Sequence, residues 1–268
     1  MMELSPLIIL IFVGVGMVAG FLTGFVGVGG GIIMVPVLLE IFHRAGLPEE
    51  VIVQAAMATS LSVAVFSVSS SIIRHRRQKT IRWELVRWLA PGSLLGGWLA
   101  AQLATRLPGQ WLLWSLSGLM LFAAFRMLRS TDNPPGMEKP ASSWKVGLTG
   151  LGVGMVAGLS GLAGGIVLVP ALGLILGVPG GLLAGTSSGT IIFSSFAAAA
   201  GYLMATPPVN LGAGFYGYVF WPLTLSLAVG AVPVAQLGAW VNRRVHGNLF
   251  RKIFGMLLLL VVVRLVLG

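Results

Sequence analysis

Hydroxyls and backbone amides are the chemistry this sequence places deep inside its apolar runs. Thr59 and Ser60 stand in ATSLSVAVFS (58–67), and Thr186, Ser187 and Ser188 in GTSSGTIIFS (185–194), two stretches that align without gaps. A hydroxyl in an apolar helix bonds either a carbonyl of the preceding turn or a ligand. Recurrence at the same place in two stretches points to a pair facing a ligand, with back-bonding the alternative. Glycines supply the amides. GFVGVGGGIIMVP (24–36) packs five glycines into eight residues before returning to aliphatics, and GLSGLAGGIVLVP (158–170) repeats the pattern. A short helix that starts at a glycine turn presents unpaired N–H groups and the positive end of its dipole, which suits an anion. The competing role, tight helix packing through small residues, is sufficient for one such motif. Two motifs at matched positions, each leading into a short proline-containing segment, favour the anion. The candidate substrate-binding residues are therefore Gly27, Gly29, Gly30, Gly31, Thr59 and Ser60 in the first half of the chain. Ser160, Gly161, Gly164, Gly165, Thr186, Ser187 and Ser188 are their counterparts in the second.

Other chemistries lack their residues. The carboxylates Glu3, Glu40, Glu49, Glu50, Glu84, Asp132 and Glu138, and the histidines His43, His75 and His246, fall in expected loops or near segment ends. No acidic or histidine relay is expected at mid-membrane, so no proton path is evident. Nothing has metal-ligand spacing, and Cys is absent, which excludes disulfides and thiolate chemistry. Without a nucleophile–base pair or a metal set an enzyme is not expected, nor is a cofactor. Gln54, Gln102 and Gln236 lie in apolar segments and need partners; for the latter two, interhelical bonds are the better reading.

The elements that must position the hydroxyls and glycines follow from composition. Of 268 residues 56% are hydrophobic and 9% charged, a balance that fits a polytopic membrane domain and not a soluble one. A bilayer core about 30 Å thick takes about 20 helical residues. Five apolar segments are expected in each half: 6–22, 31–42, 51–73, 85–104 and 111–128, then 146–162, 165–177, 182–204, 215–241 and 249–267. The second and seventh are too short to cross comfortably alone. Non-helical backbone at membrane depth is tolerated only inside protein or a polar cavity, so two broken or re-entrant helices are expected to meet near the midplane. The N-terminal MMELSPLIILIF lacks a basic region and a cleavage site and is expected to open the first helix.

GVGMVAG occurs identically at 14–20 and 152–158, the glycine and hydroxyl stretches follow in the same order, and GLMLFAAFRML (118–128) matches GMLLLLVVVRL (255–265). The chain reads as a tandem duplication: a first membrane repeat at 1–130, a cytoplasmic linker at 131–143 and a second repeat at 144–268. The net charge of +10 sits in short loops such as RHRRQKTIRW (74–83) and NRRVHGNLFRK (242–252). These loops should be cytoplasmic by the positive-inside rule, whereas uncharged ATPPVNLGAG (205–214) should face outside. One threading satisfies them all: both termini outside, and five segments per repeat, so the repeats are inverted about the membrane plane, an arrangement common in secondary transporters. The fold class is thus all-α, polytopic, with two inverted-topology repeats. Its partners are the lipid bilayer and a small anion. Nucleic acid is not a partner, because no basic domain exists outside the membrane segments, and a homo-oligomer is left open.

GFLTGFVGVGGGIIMVPVL and GLSGLAGGIVLVPAL, each followed by a Thr-Ser helix, resemble the TauE/SafE sulfite exporter family over nearly the whole chain. That resemblance implies a bacterial inner-membrane permease for sulfite, sulfoacetate or related organosulfonates. Export by alternating access is the expected mode; an anion channel, or a permease for another small anion in the uptake direction, is the alternative. Counted from the shared heptapeptide to the proline, the second motif is four residues shorter than the first, which leaves the two half-sites open to being unequal.

Overall fold

The computed structural model describes residues 6–129 and 143–244. The apolar segment expected at 249–267, the linker expected at 131–143 except its last residue, and both chain ends lie outside the described residues. Helices α1 (Pro6–Val26), α2 (Gly31–Arg44), α3 (Glu49–Arg77), α4 (Trp83–Ala104) and α5 (Gly109–Arg129) make up the first half. The second contains α6 (Ser143–Ser160), α7 (Gly165–Leu174), α8 (Gly180–Met204) and α9 (Trp221–Asn242). Helices dominate the described residues, and α1, α3, α8 and α9 are long and apolar enough to cross a bilayer. The protein is an all-α polytopic membrane protein. α2 has 14 residues and α7 has 10, about 21 and 15 Å at the α-helical rise, both shorter than a bilayer core.

The segment expected to run unbroken over 215–241 is divided. Strands β1 (Phe215–Tyr216) and β2 (Val219–Phe220) form a two-stranded antiparallel hairpin, and α9 begins only at Trp221. Gly214 and Gly217, at φ +92° and +56°, and Pro222 in the first turn of α9 are the turn signals behind the break. The cationic loop is also shorter than expected, because α3 continues to Arg77.

Packing interleaves the halves. α3 and α8 lie together at the centre; α1 runs along α9 and α6 along α4. The two outer pairs meet through glycine stripes. A methyl on Gly16, Gly20 or Gly24 of α1 would strike backbone of Leu227, Ala231 or Ala235 in α9. On Gly150 or Gly154 of α6 it would strike Leu89 or Ser93 backbone in α4, and on Gly158 the Ala100 methyl. These helices gain close van der Waals contact that larger residues would prevent. In the stripes, therefore, packing is the role of glycine. Gly152 shows the contrast: it faces open space, and Gly152→Ala should raise stability by about 0.5–1 kcal/mol through helix propensity alone, read as a higher unfolding midpoint of the purified protein.

The stripes also resolve the four-residue discrepancy. Gly24 precedes Gly27 by the interval at which Gly158 precedes Gly161, so Gly16, Gly20 and Gly24 correspond to Gly150, Gly154 and Gly158. The identical heptapeptides are consequently out of phase by about one helical turn. A stripe that repeats every four residues permits such a slip. The turns themselves are equal in length: 27–30 between α1 and α2, and 161–164 between α6 and α7.

Candidate functional site

The two glycine turns lie against each other, at the point where α1 hands over to α2 and α6 to α7. Gly27 and Gly161 leave the preceding helices at φ +76° and +70°, and Gly30 and Gly164 cap the next ones at +70° and +81°. These left-handed values are where glycine is needed. A methyl on Gly31 would lie 2.5 Å from the Gly161 carbonyl oxygen, and one on Gly165 would lie 2.4 Å from Val28 Cα. Gly29 faces the methyl of Ala163, itself at φ +58°. One side chain thus fills the contact between the turns, and a second methyl would not fit.

Hydroxyls from the central helices clasp the turns crosswise. Ser60 Oγ of α3 donates to the Gly161 carbonyl at 3.0 Å. Ser187 Oγ of α8 donates to the Gly27 carbonyl at 2.6 Å. The neighbouring threonines act as acceptors: Thr59 Oγ1 takes the Phe220 N–H at 3.2 Å, and Thr186 Oγ1 takes the Arg82 N–H at 3.1 Å. Phe220 and Arg82 are the N-caps of α9 and α4, and neither cap is satisfied by its own side chain. Each threonine therefore stabilises the start of a helix in the other half. Thr59→Val should cost about 1–3 kcal/mol by leaving the Phe220 amide buried without this acceptor, and Thr59→Ser should recover most of it; thermal unfolding of both variants checks the expectation.

A third matched pair lies nearer the ends of α3 and α8. His75 Nε2 sits 3.1 Å from the Gly24 carbonyl, and Tyr202 OH donates to the Gly158 carbonyl at 2.8 Å. His75 and Tyr202 follow Thr59 and Thr186 at the same interval, as Gly24 and Gly158 precede Gly27 and Gly161. The loop position expected for His75 does not hold: it is in α3, fully buried, with Thr80 Oγ1 2.8 Å from Nδ1. In the sequence, the neighbouring arginines Arg74, Arg76 and Arg77 mask a buried position at a helix end.

All the candidate residues gather in one place. Ser60, Thr59, Thr186 and Ser187 bond across the halves, while Ser160 bonds back to the Val156 carbonyl at 2.6 Å and accepts the Leu162 N–H at 3.3 Å. Ser188 is fully buried and has no hydrogen-bond partner among the described residues. Gln102 and Gln236 make interhelical bonds, to the Gly201 carbonyl at 3.5 Å and to Ser70 Oγ at 3.2 Å. Gln54 Nε2 donates to the Leu107 carbonyl at 3.0 Å.

The electrostatics of the contact are those of two helix N-termini. Among the described residues, the amides of Gly29, Gly30, Gly31 and Ile32, and of Ala163, Gly164, Gly165 and Ile166, donate to no protein acceptor. All eight residues are buried. A buried N–H left unpaired costs about 1–3 kcal/mol, so this is an unusual concentration of unmet donors. The turns are closed on each other in this structure: they touch backbone to backbone, and Thr59, Ser60, Ser160, Thr186, Ser187 and Ser188 have no exposed surface.

Residues 12–265 match the family described as Sulfite exporter TauE/SafE. The chain is 25% identical to a probable membrane transporter protein of Haemophilus influenzae, covering 97% of this chain and 98% of that one. It is 30% identical to the probable membrane transporter protein MJ0441 of Methanocaldococcus jannaschii, over 90% and 88% of the two chains. It is 29% identical to the probable membrane transporter protein YunE of Bacillus subtilis, over 96% of each. No solved structure matches the chain significantly. With a match running almost end to end, and with both glycine turns and both Thr-Ser helices inside it, this chain belongs to the TauE/SafE sulfite exporter family.

Proposed function

We propose that the protein is a secondary transporter that exports a small sulfur-containing anion, sulfite or an organosulfonate such as sulfoacetate, across the bacterial cytoplasmic membrane by alternating access. The observation that carries this reading is the set of eight buried, unpaired amides at the facing starts of α2 and α7. Two positive dipole ends with unmet donors suit a tetrahedral or pyramidal oxyanion. The family description and the transporter names of the relatives support the same reading.

In this proposal the structure is an occluded form. To admit an anion between the turns, the crossed bonds Ser60–Gly161 and Ser187–Gly27 part on one side at a time. Each is worth about 1 kcal/mol net, small enough to break on the timescale of transport and strong enough to favour closure when the site is empty. The freed hydroxyls of Ser60 and Ser187, with those of Thr59, Thr186 and Ser188, then become donors to the anion alongside the glycine amides. The repeats are inverted about the membrane plane, so the same opening serves either face, and both termini lie outside. A monoanion leaving an inside-negative cell gains about 2.3 kcal/mol per 100 mV, so export requires no coupled proton.

Efflux of labelled sulfite and sulfoacetate from proteoliposomes under an inside-negative potential tests this. Protein-dependent, saturable efflux accelerated by unlabelled anion on the far side is expected. Efflux equal to that of protein-free vesicles for every sulfur oxyanion rejects the substrate class, and flux without trans-acceleration rejects the carrier mechanism.

A further inference from the structure

A second cationic feature lies away from the glycine turns. At the C-terminal ends of α3 and α9, Arg74, Gln78, Trp240, Arg243 and Arg244 line a cleft of about 370 Å³. The guanidinium of Arg244 sits 3.9 Å from the centre of the Trp240 ring, an orientation that braces the arginine by cation–π contact. Arg74 Nε and Gln78 Oε1 are buried and have no hydrogen-bond partner among the described residues. Among the described residues no carboxylate pairs with Arg74, Arg243 or Arg244. Asn242 Nδ2 donates to the Phe25 carbonyl at 2.6 Å and ties the end of α9 to the end of α1.

Two helix C-termini supply some negative potential to these cations, about half a charge each at most. That falls short of three guanidinium groups and offers nothing to the buried Nε. The matched position in the other half is differently made: Gly201 corresponds to Arg74, and Gln102, which corresponds to Trp240, bonds its carbonyl. The cleft is therefore a feature of one side, not a consequence of the repeated fold.

We propose that this cleft is an oxyanion-binding site, distinct from the glycine turns. Its ligand is a phosphate- or sulfate-type group, held by the forked donors of Arg74, Arg243 and Arg244. Arginine matches such groups bidentately. The shared chemistry has two sources: a free inorganic oxyanion, or the phosphate of an anionic lipid at the membrane surface.

Equilibrium binding tests the site without recourse to flux. The full chain is purified and delipidated in uncharged detergent. Labelled sulfate and inorganic phosphate are titrated in one arm, and phosphatidylglycerol, with phosphatidylcholine as the neutral comparison, is followed by native mass spectrometry in the other. Saturable binding in either arm, weakened at least tenfold in Arg74→Gln and in the double variant Arg243→Gln/Arg244→Gln but unchanged in exposed Arg87→Gln, supports the site, and the responding arm identifies the source. Binding in neither arm, or binding that the cleft variants leave within twofold of wild type, overturns it. Arg243 and Arg244 are exposed, so their double variant tests the site even if Arg74→Gln fails to fold.

Discussion

Gly165→Ala is expected to abolish transport and to lower stability by the upper end of the range for overpacked cores, about 3 kcal/mol. The added methyl would stand 2.4 Å from Val28 Cα and 2.6 Å from the Gly27 carbonyl oxygen. Both are backbone atoms, so no rotamer change can relieve the contact. The turns would have to separate, and with them the Ser187–Gly27 bond at 2.6 Å. Gly31→Ala should behave alike, since its methyl meets the Gly161 carbonyl and Leu162 Cα. Gly181, at the start of α8, faces open space and provides the matched control. Melting curves by fluorescence-detected size exclusion, with sulfite flux on the same preparations, read both effects. A Gly165→Ala protein that melts and transports as wild type would show that the turns are not in contact.

The double substitution Ser60→Ala/Ser187→Ala is expected to reduce sulfite efflux at least tenfold while the protein remains folded. Each serine removed leaves a buried glycine carbonyl without its hydroxyl donor, at about 1–3 kcal/mol. The two bonds close opposite sides of one contact, so their losses should not add; a cycle of the single and double variants measures the coupling. The hydroxyls also have a second role in the proposed mechanism, as donors to the anion once the turns part. That separates the variant from a merely loosened protein. Loss of stability alone should be offset by lower temperature, whereas loss of anion donors should persist. Wild-type flux in the double variant would remove the hydroxyls from the mechanism.

Much of the helical plan was readable without coordinates. Apolar segments, the short proline-containing helices after each glycine cluster, and the recurrence of Thr-Ser in two long helices depend on local composition and period, which hydropathy reports directly. Three features were not readable. The hairpin before α9 has two residues per strand and is too short for any periodicity. His75 lies among Arg74, Arg76 and Arg77, and a charged context reads as a loop although the ring is fully buried. The phase of the glycine stripes was obscured because any four-residue shift along such a stripe preserves its pattern.

The candidate site divides in the same way. Residue types and spacing determined by themselves that this is a helical membrane protein with glycine turns and hydroxyls inside its apolar segments, because those are properties of the chain's own neighbours. Only the tertiary structure decided what the hydroxyls bond. Ser60 reaches Gly161, and Ser187 reaches Gly27, across more than a hundred residues, and no local pattern encodes a partner at that separation. It also decided that the turns are closed, since backbone contact between them depends on how α3 and α8 bring α1 and α6 together. The cleft at Arg74 and Trp240 likewise exists only because the ends of α3 and α9 meet in space.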